Sequence, residues 1–186
     1  MKTVRLQDIR NRSVINHTPL GRDIQRIARE TQPGLIRRRG FGWSDGGCWT
    51  FAAALARWSG GQLALAQVVS PAGVHRGYTD HIVAHYQGLL YLDADGLATG
   101  PELLDKWRRL EGIERQFYTL EPFADPEKAG MGGIIFVRAE MPGLMEHLRQ
   151  VLGNFNTITR DALDELLEGM RAGGVPAPSL TQRSAP

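Results

Sequence analysis

The stretch Ser44-Asp45-Gly46-Gly47-Cys48-Trp49-Thr50-Phe51 contains the single cysteine of this 186-residue chain. The apolar residues after it predict a buried central helix, residues 49–59, which Gly60-Gly61 would end. The free N–H groups and the dipole at a helix N-terminus favour a thiolate over a thiol. Gly46 and Gly47 lack a Cβ, so a substrate backbone could approach the sulfur, and Asp45 is a candidate helix cap. The stretch therefore predicts an activated thiol at the start of a helix.

A second stretch, residues 80–96 (DHIVAHYQGLLYLDADG), predicts a β-hairpin. Residues 80–86 form a strand that opens on His81, Gln87-Gly88 turns the chain, and residues 89–93 form a strand that ends on Asp93. A cysteine on a helix, a histidine on a strand and an aspartate on the next strand supply a nucleophile, a base and a group that orients the base. Cys48, His81 and Asp93 are therefore the candidate catalytic residues.

The register of the hairpin decides whether these groups can meet. Side chains alternate between the faces of a strand, so His81, Val83 and His85 share one face. A two-residue turn places Asp93 and Asp95 on the opposite face. One extra residue in the turn, with Gly88 supplying a positive φ, brings both aspartates to the histidine face, with Asp95 opposite His81. The triad requires this longer turn, or a bulge in the strand after it.

Two alternatives stay open at the site. His85 is the alternative base and Asp95 the alternative acid, since either lies close to the preferred residue in sequence. A metal site built from the same side chains is not predicted, because His81 and His85 lie about 13 Å apart along an extended strand. No metal and no cofactor are expected.

The motif Gly47-Cys48-Trp49-Thr50-Phe51 resembles the Gly-Ser-Cys-Trp-Ala-Phe signature of papain-type cysteine proteases. The segment from His81 to Gly96 is similar to the His-strand-turn-strand-Asp-x-x-Gly pattern of compact papain-like proteins, which include NlpC-type amidopeptidases, transglutaminase-like enzymes and arylamine N-acetyltransferases. The resemblance covers residues 44–99 and favours Asp93, three residues before a glycine, as the acid. It departs from papains in two ways. The spacing between the cysteine and the histidine is far shorter than the roughly 130 residues typical of papains. Gly42 stands at the position where papains carry the glutamine that stabilises the oxyanion.

The resemblance implies a papain-like α+β domain, in which the helix bearing Cys48 packs on a mainly antiparallel sheet. It implies thiol acyl transfer or amide hydrolysis through an acyl-enzyme, as in a thiol protease, on a peptide, protein or small amide. The main-chain N–H of Cys48 and a group from Ser44, Gly46 or Gly47 would stabilise the oxyanion, and Trp49 would flank the substrate. The alternative function is a catalytically inactive papain-like fold that binds a protein partner.

Composition excludes several other classes. A net charge of +2 is too small to create an electrostatic field that would attract nucleic acid. The basic run 37–39 is interpreted as a solvated loop. One cysteine excludes an internal disulfide and fits a reducing compartment. The absence of a signal-peptide core or a long apolar run predicts a cytoplasmic protein without a membrane span.

The remaining residues predict one domain, residues 1–172, and a disordered tail, residues 173–186, rich in Gly, Pro, Ser and Ala. Apolar periodicity predicts helices at 22–31, 101–111, 142–152 and 160–171, the last capped by Thr159. Strands are predicted at 62–69, 113–120 and 134–137. The two helices after residue 140 are additions at the C-terminal side of the papain-like core.

Overall fold

A five-stranded antiparallel sheet forms the centre of the structure, a computed structural model that describes residues 18–31, 42–44, 46–69, 79–111, 118–123 and 136–172. Its strands are β1 (Ala64–Val69), β2 (Thr79–Tyr86), β3 (Leu90–Asp93), β4 (Gly96–Thr99) and β5 (Thr119–Pro122), in the spatial order β4-β3-β2-β1-β5. The helices in the described part of the chain are α1 (Pro19–Glu30), α2 (Cys48–Trp58), α3 (Gly100–Glu111), α4 (Met141–Leu152) and α5 (Thr157–Ala172). The expected mixed α+β class with an antiparallel sheet is confirmed.

Helices cover both faces of this sheet. The larger apolar core joins α1, α2, α4 and α5 to one face, which presents Ala84, Leu90 and Leu92. The residues between them in sequence, Val83 and Tyr91, point to the other face and pack against α3. This alternation follows from the two-residue period of a strand. The strands that carry the candidate site are therefore buried on both sides.

Helix α2 lies in the middle of the larger core. Alanine and leucine favour a helix, and the helix is buried on most of its sides, as its apolar sequence predicts. Its C-terminus is a Schellman motif: Gly60 N–H donates to Arg57 O (3.1 Å) and Gly61 N–H to Ala56 O (3.1 Å). Gly60 takes the left-handed φ of 62° that this ending requires. The core thus fixes the direction in which the N-terminus of α2 points.

The β2–β3 hairpin has the longer turn that the triad requires. Tyr86 pairs with Leu90 and Ala84 with Leu92, so three residues separate the paired strands. Gln87 and Gly88 both have positive φ values, 53° and 68°, as in the turns that suit the twist of a hairpin. The prediction of one extra residue in the turn is confirmed.

A second hairpin follows at once and was not predicted. Asp93 pairs with Gly96 across the two-residue turn Ala94-Asp95, and β4 then lies along β3. Strand β3 therefore ends at Asp93 and does not continue to Asp95. The pairing of Asp95 with His81, on which the alternative acid depended, is wrong because the chain has already turned.

Several other element predictions need correction. Helix α1 begins at Pro19, not at residue 22, because proline fits the first position of a helix and Thr18 Oγ1 accepts the Gly21 N–H at 3.2 Å. Helix α5 is capped by Asn156, whose Oδ1 accepts the N–H of Thr159 at 3.3 Å, and not by Thr159.

Of the strand expected at 113–120, residues 113–117 lie outside the described residues, and the described end belongs to β5, Thr119–Pro122. The strand expected at 134–137 is not present over its described residues, Phe136 and Val137, which precede a 3₁₀ turn at Arg138–Glu140. Residues 134 and 135, the basic run 37–39 and the tail from residue 173 lie outside the described residues. None of the described helices has the length and the apolar character to cross a membrane.

Candidate active site

Cys48 is the first residue of α2 and is almost fully covered, with 3% of its surface exposed. The first main-chain bond of the helix runs from Phe51 N–H to Gly47 O (3.2 Å), so the N–H of Cys48 is directed out of the helix. Gly47 occupies the cap position and offers no side chain to the helix end. Asp45, the expected cap, lies outside the described residues. The sulfur thus stands at a helix end whose dipole favours a negative charge.

His81 and Asp93 form a buried hydrogen-bonded pair. The Nε2 atom of His81 lies 3.0 Å from Oδ2 of Asp93, and the two residues expose 1% and 5% of their surface. The N–H of Asp95 donates to the other oxygen of Asp93, Oδ1, at 2.8 Å. The hairpin register brings this pair together, since it places both side chains on one face of the sheet. Of the two candidate acids, Asp93 is the one that contacts His81.

Cys48 and His81 interact across the remaining side of the imidazole. Nδ1 of His81 is buried and has no hydrogen-bond partner of its own among the described residues. This ring nitrogen therefore remains available to the thiol of Cys48. Cys48 packs against Ile82, the neighbour of His81 in β2. Burial lowers the pKa of His81, but the negative charge of Cys48 and the bond to Asp93 outweigh burial and raise the pKa to about 9. The surroundings therefore favour the protonated form of the imidazole, which faces the sulfur of Cys48.

Lys106 of α3 completes the charged cluster, and sequence reasoning missed it. Its Nζ donates to Oδ2 of Asp93 at 3.2 Å and also to Oδ2 of Asp95, and the residue exposes only 2% of its surface. Burial raises the pKa of Asp93, but the ammonium of Lys106 and the bond to His81 hold it well below its usual range. Burial lowers the pKa of Lys106, and the two carboxylates raise it above its usual value. Both groups are therefore ionised at neutral pH.

A signal for Lys106 was present in the sequence. The apolar side of α3 includes Leu103 and Trp107, and Lys106 lies between them on the same side of the helix. A lysine within an apolar stripe needs a buried anion as partner. Asp93, the aspartate proposed at the end of a buried strand, is that partner.

Trp107 covers the imidazole of His81. The two ring centroids lie 4.9 Å apart at an interplanar angle of 37°. Trp107 is 7% exposed, so it separates the His81–Asp93 bond from solvent on the α3 face. A hydrogen bond in such dry surroundings is electrostatically stronger than one in water.

Aromatic rings flank the cysteine on its other side. The ring of Trp49 lies 4.8 Å from that of Phe136 and 5.7 Å from that of Phe123, centroid to centroid. Val137 N–H donates to Thr50 Oγ1 at 2.9 Å and so fixes the segment that carries Phe136 to the first turn of α2. Trp49, expected to flank a substrate, is partly buried in this aromatic cluster.

The loop before Cys48 departs from the expected oxyanion site. Gly47 N–H donates to Gly42 O at 3.0 Å, so it is not free to bind an oxyanion. Ser44 Oγ donates to Oδ1 of Asp95 at 3.3 Å, which ties the loop to the turn after β3. Gly46 adopts a positive φ of 80°, a conformation that favours glycine. In this arrangement the expected oxyanion donors are therefore engaged elsewhere, the N–H of Gly47 by Gly42 and the hydroxyl of Ser44 by Asp95.

The other described histidines are engaged elsewhere. Nδ1 of His85 accepts the N–H of Gly88 at 3.0 Å and stabilises the hairpin turn. His147 lies 2.9 Å from a carboxylate oxygen of Glu30 at the surface. His85 therefore stabilises the hairpin turn in this arrangement. Among the described residues, no three or more His, Cys, Asp or Glu side chains are grouped as a metal site would require.

Comparison of the chain with protein-family models, with curated proteins and with solved structures found no match.

Proposed function

We propose that this protein is a cysteine-dependent amide hydrolase or acyltransferase with a papain-like arrangement, in which Cys48, His81 and Asp93 act as nucleophile, base and orienting acid. One observation carries the proposal. The buried imidazole of His81 has Nε2 bonded to a carboxylate and Nδ1 without a fixed hydrogen-bond partner, and it interacts electrostatically with Cys48 at a helix N-terminus. A structural histidine normally satisfies both ring nitrogens when it is buried. The open nitrogen beside a thiol is what acyl transfer needs.

The proposed reaction starts with transfer of the Cys48 proton to Nδ1 of His81. The sulfur then forms a bond to the carbonyl carbon of an amide, and the carbonyl π electrons move to its oxygen. Collapse of this intermediate breaks the C–N bond, while the imidazolium returns its proton to the leaving amine. Water or a second amine then attacks the thioester carbonyl while His81 takes its proton, the C–S bond breaks, and the sulfur leaves as a thiolate that takes the proton back from the imidazolium. Asp93 holds the imidazole in place through its Nε2 bond throughout.

The main-chain N–H of Cys48 is the proposed donor to the oxyanion. It is directed out of the helix, and the positive end of the α2 dipole adds to its effect. The rings of Trp49, Phe123 and Phe136 offer an apolar surface next to the helix start. The proposed substrates remain a peptide, a protein or a small amide with an apolar group next to the scissile bond.

Thiol reactivity tests this proposal. The rate of Cys48 alkylation by iodoacetamide at pH 6 should exceed that of a free thiol in the same buffer, because His81 stabilises the thiolate. His81→Ala should reduce the rate at least about 100-fold if the histidine acts on the sulfur. His85→Phe is the matched control, since His85 serves the turn. Equal rates in wild type and His81→Ala would overturn the proposal.

A partner-binding protein that keeps the same fold is the second candidate. The burial of Cys48, of which 3% is exposed, favours this function because a covered thiol meets substrate poorly. Under this alternative, Cys48 reacts slowly in both variants and the charged cluster serves only stability. The alkylation experiment separates the two candidates directly.

A further inference from the structure

The buried lysine on α3 belongs to the charged cluster, but the proposed mechanism gives it no role. Lys106 exposes 2% of its surface and reaches two carboxylates, those of Asp93 and Asp95. Removing an ammonium from water costs several kcal/mol, so such a residue needs strong compensation. An apolar residue would fill the same space on α3 without that cost.

We infer that Lys106 is a positioning residue of the proposed active site, which balances the charge of Asp93 so that His81 can both accept and release a proton. The inference rests on the proposed function, because only a reacting imidazole has to release its proton. Asp93 Oδ2 is shared between Lys106 and His81, at 3.2 Å and 3.0 Å. A change in the charge of Lys106 therefore acts within hydrogen-bond distance of the oxygen atom that holds His81.

The chemistry requires such a balance. A buried aspartate without a counter-charge would bind the imidazolium strongly, and the imidazolium would then be a poor acid toward the leaving amine. Lys106 withdraws part of that negative charge. The negative charge of Asp95 in turn offsets part of the positive charge of Lys106. The carboxylate of Asp95 is one-third exposed, so this residue lies at the edge of the cluster.

The charged and titratable groups that face this cluster come from several elements. Asp93 and Asp95 come from the end of β3 and the turn after it, Cys48 from α2, and Tyr118, before β5, from the apolar cluster around Trp107. Two acids of α3, Glu102 and Asp105, point elsewhere. Glu102 accepts hydrogen bonds from Thr99, and Asp105 pairs at the surface with Arg108 and Arg109.

Titration of the His81 imidazole by two-dimensional ¹H–¹⁵N NMR tests the inference. The shared oxygen places Nζ of Lys106 at most about 6 Å from Nε2 of His81. A unit charge at that distance, with an effective dielectric constant near 20, shifts a titration by roughly two pH units. Lys106→Met should raise the His81 midpoint by about one pH unit or more. Asp95→Asn should lower it by roughly half a unit, because it removes the opposite charge.

Two further variants sharpen the test. Lys106→Arg keeps the charge and should restore the wild-type midpoint. Arg108→Met removes a positive charge from the exposed surface of the same helix, where its effect is screened, and should leave the midpoint unchanged. If Lys106→Met does not fold, Asp95→Asn still tests the sign of the effect. A lysine that only supports the fold would not shift the midpoint in opposite directions in the two variants.

Failure of this inference can be distinguished from failure of the proposed function. Midpoints that stay within about 0.2 units of wild type in Lys106→Met and Asp95→Asn would overturn the inference, even if Cys48 is reactive. A midpoint that moves as expected, together with His81-dependent alkylation of Cys48, supports it. Alkylation that does not depend on His81 would overturn both, because no proton transfer would remain for Lys106 to adjust.

Discussion

A double-mutant cycle on Asp93 and Lys106 is the sharpest stability test of the buried cluster. The two charges lie 3.2 Å apart, and neither residue exposes more than 5% of its surface. Lys106→Met, Asp93→Asn and the double variant each remove charge without changing side-chain size greatly. The cycle measures how far the two residues depend on each other.

The structure sets the expected magnitudes. Lys106→Met leaves two carboxylates without their ammonium, and loss of one partner of a buried pair costs about 3–5 kcal/mol. Asp93→Asn weakens the bonds to Lys106 and His81 but leaves Lys106 with Asp95, so we expect a cost of about 2–3 kcal/mol. The double variant removes both partners of the pair. Its cost should fall short of the sum of the single costs by about 2 kcal/mol.

Urea unfolding followed by circular dichroism supplies the free energies, with an unchanged m-value as the check that unfolding stays two-state. The control cycle is Asp105→Asn with Arg108→Met, an exposed pair at 2.6 Å on the same helix. Exposed pairs couple by about 0.2–1 kcal/mol. A coupling energy for Asp93–Lys106 no larger than that of Asp105–Arg108 would refute the claim that burial makes this cluster interdependent.

Three further predictions concern acid stability, the hairpin turn and the tail. Because Lys106 and His81 outweigh burial and lower the pKa of Asp93, its carboxylate adds stability that is fully present above the unfolded value near 4 and is lost as the pH falls. The unfolding free energy of wild type should therefore decrease more steeply than that of Asp93→Asn between about pH 5 and pH 2, and parallel curves would contradict this. His85→Phe should cost about 1 kcal/mol, since the Gly88 N–H loses its acceptor, and a change of Cys48 alkylation rate in that variant would show a role beyond the turn. Deletion of residues 174–186 should change the unfolding free energy by less than about 0.5 kcal/mol, and a large drop in melting temperature would show that the segment packs on the domain.

The sequence predicted the parts of the fold that depend on local pattern. The apolar run after Cys48 gave α2 within one residue at each end, and strand alternation gave the faces of the hairpin. Strand β4 was missed because Gly96–Thr99 is only four residues long and follows a turn directly. The strand expected at 134–137 is absent at its described residues, Phe136 and Val137. The N–H of Val137 bonds to Thr50 on α2 and not to a neighbouring strand.

The candidate site, like the fold, was predicted where it depends on local sequence and missed where it depends on distant contacts. His81 and Asp93 could be paired by counting residues across the turn, since register is a property of the local chain. The choice against Asp95 required the second hairpin, which turns that residue toward Ser44 and Lys106. The bond from the N–H of Gly47 to Gly42 was not predicted, because no periodicity in the sequence reveals such a loop contact. Lys106 comes from a separate helix on the opposite face of the sheet from the core around α2, and only its place in an apolar stripe pointed to it.

Single-turnover acylation of Cys48 tests the proposed triad most directly. With p-nitrophenyl acetate as the acyl donor at pH 6, intact mass should show one acetyl group on wild type, and Cys48→Ser should abolish it. His81→Ala should reduce the acylation rate at least about 100-fold and Asp93→Ala by less, while Cys48→Ser/His81→Ala should be no worse than Cys48→Ser alone, because the residues act as a unit. Acylation of His81→Ala at the wild-type rate would contradict the triad and leave the partner-binding protein as the better account.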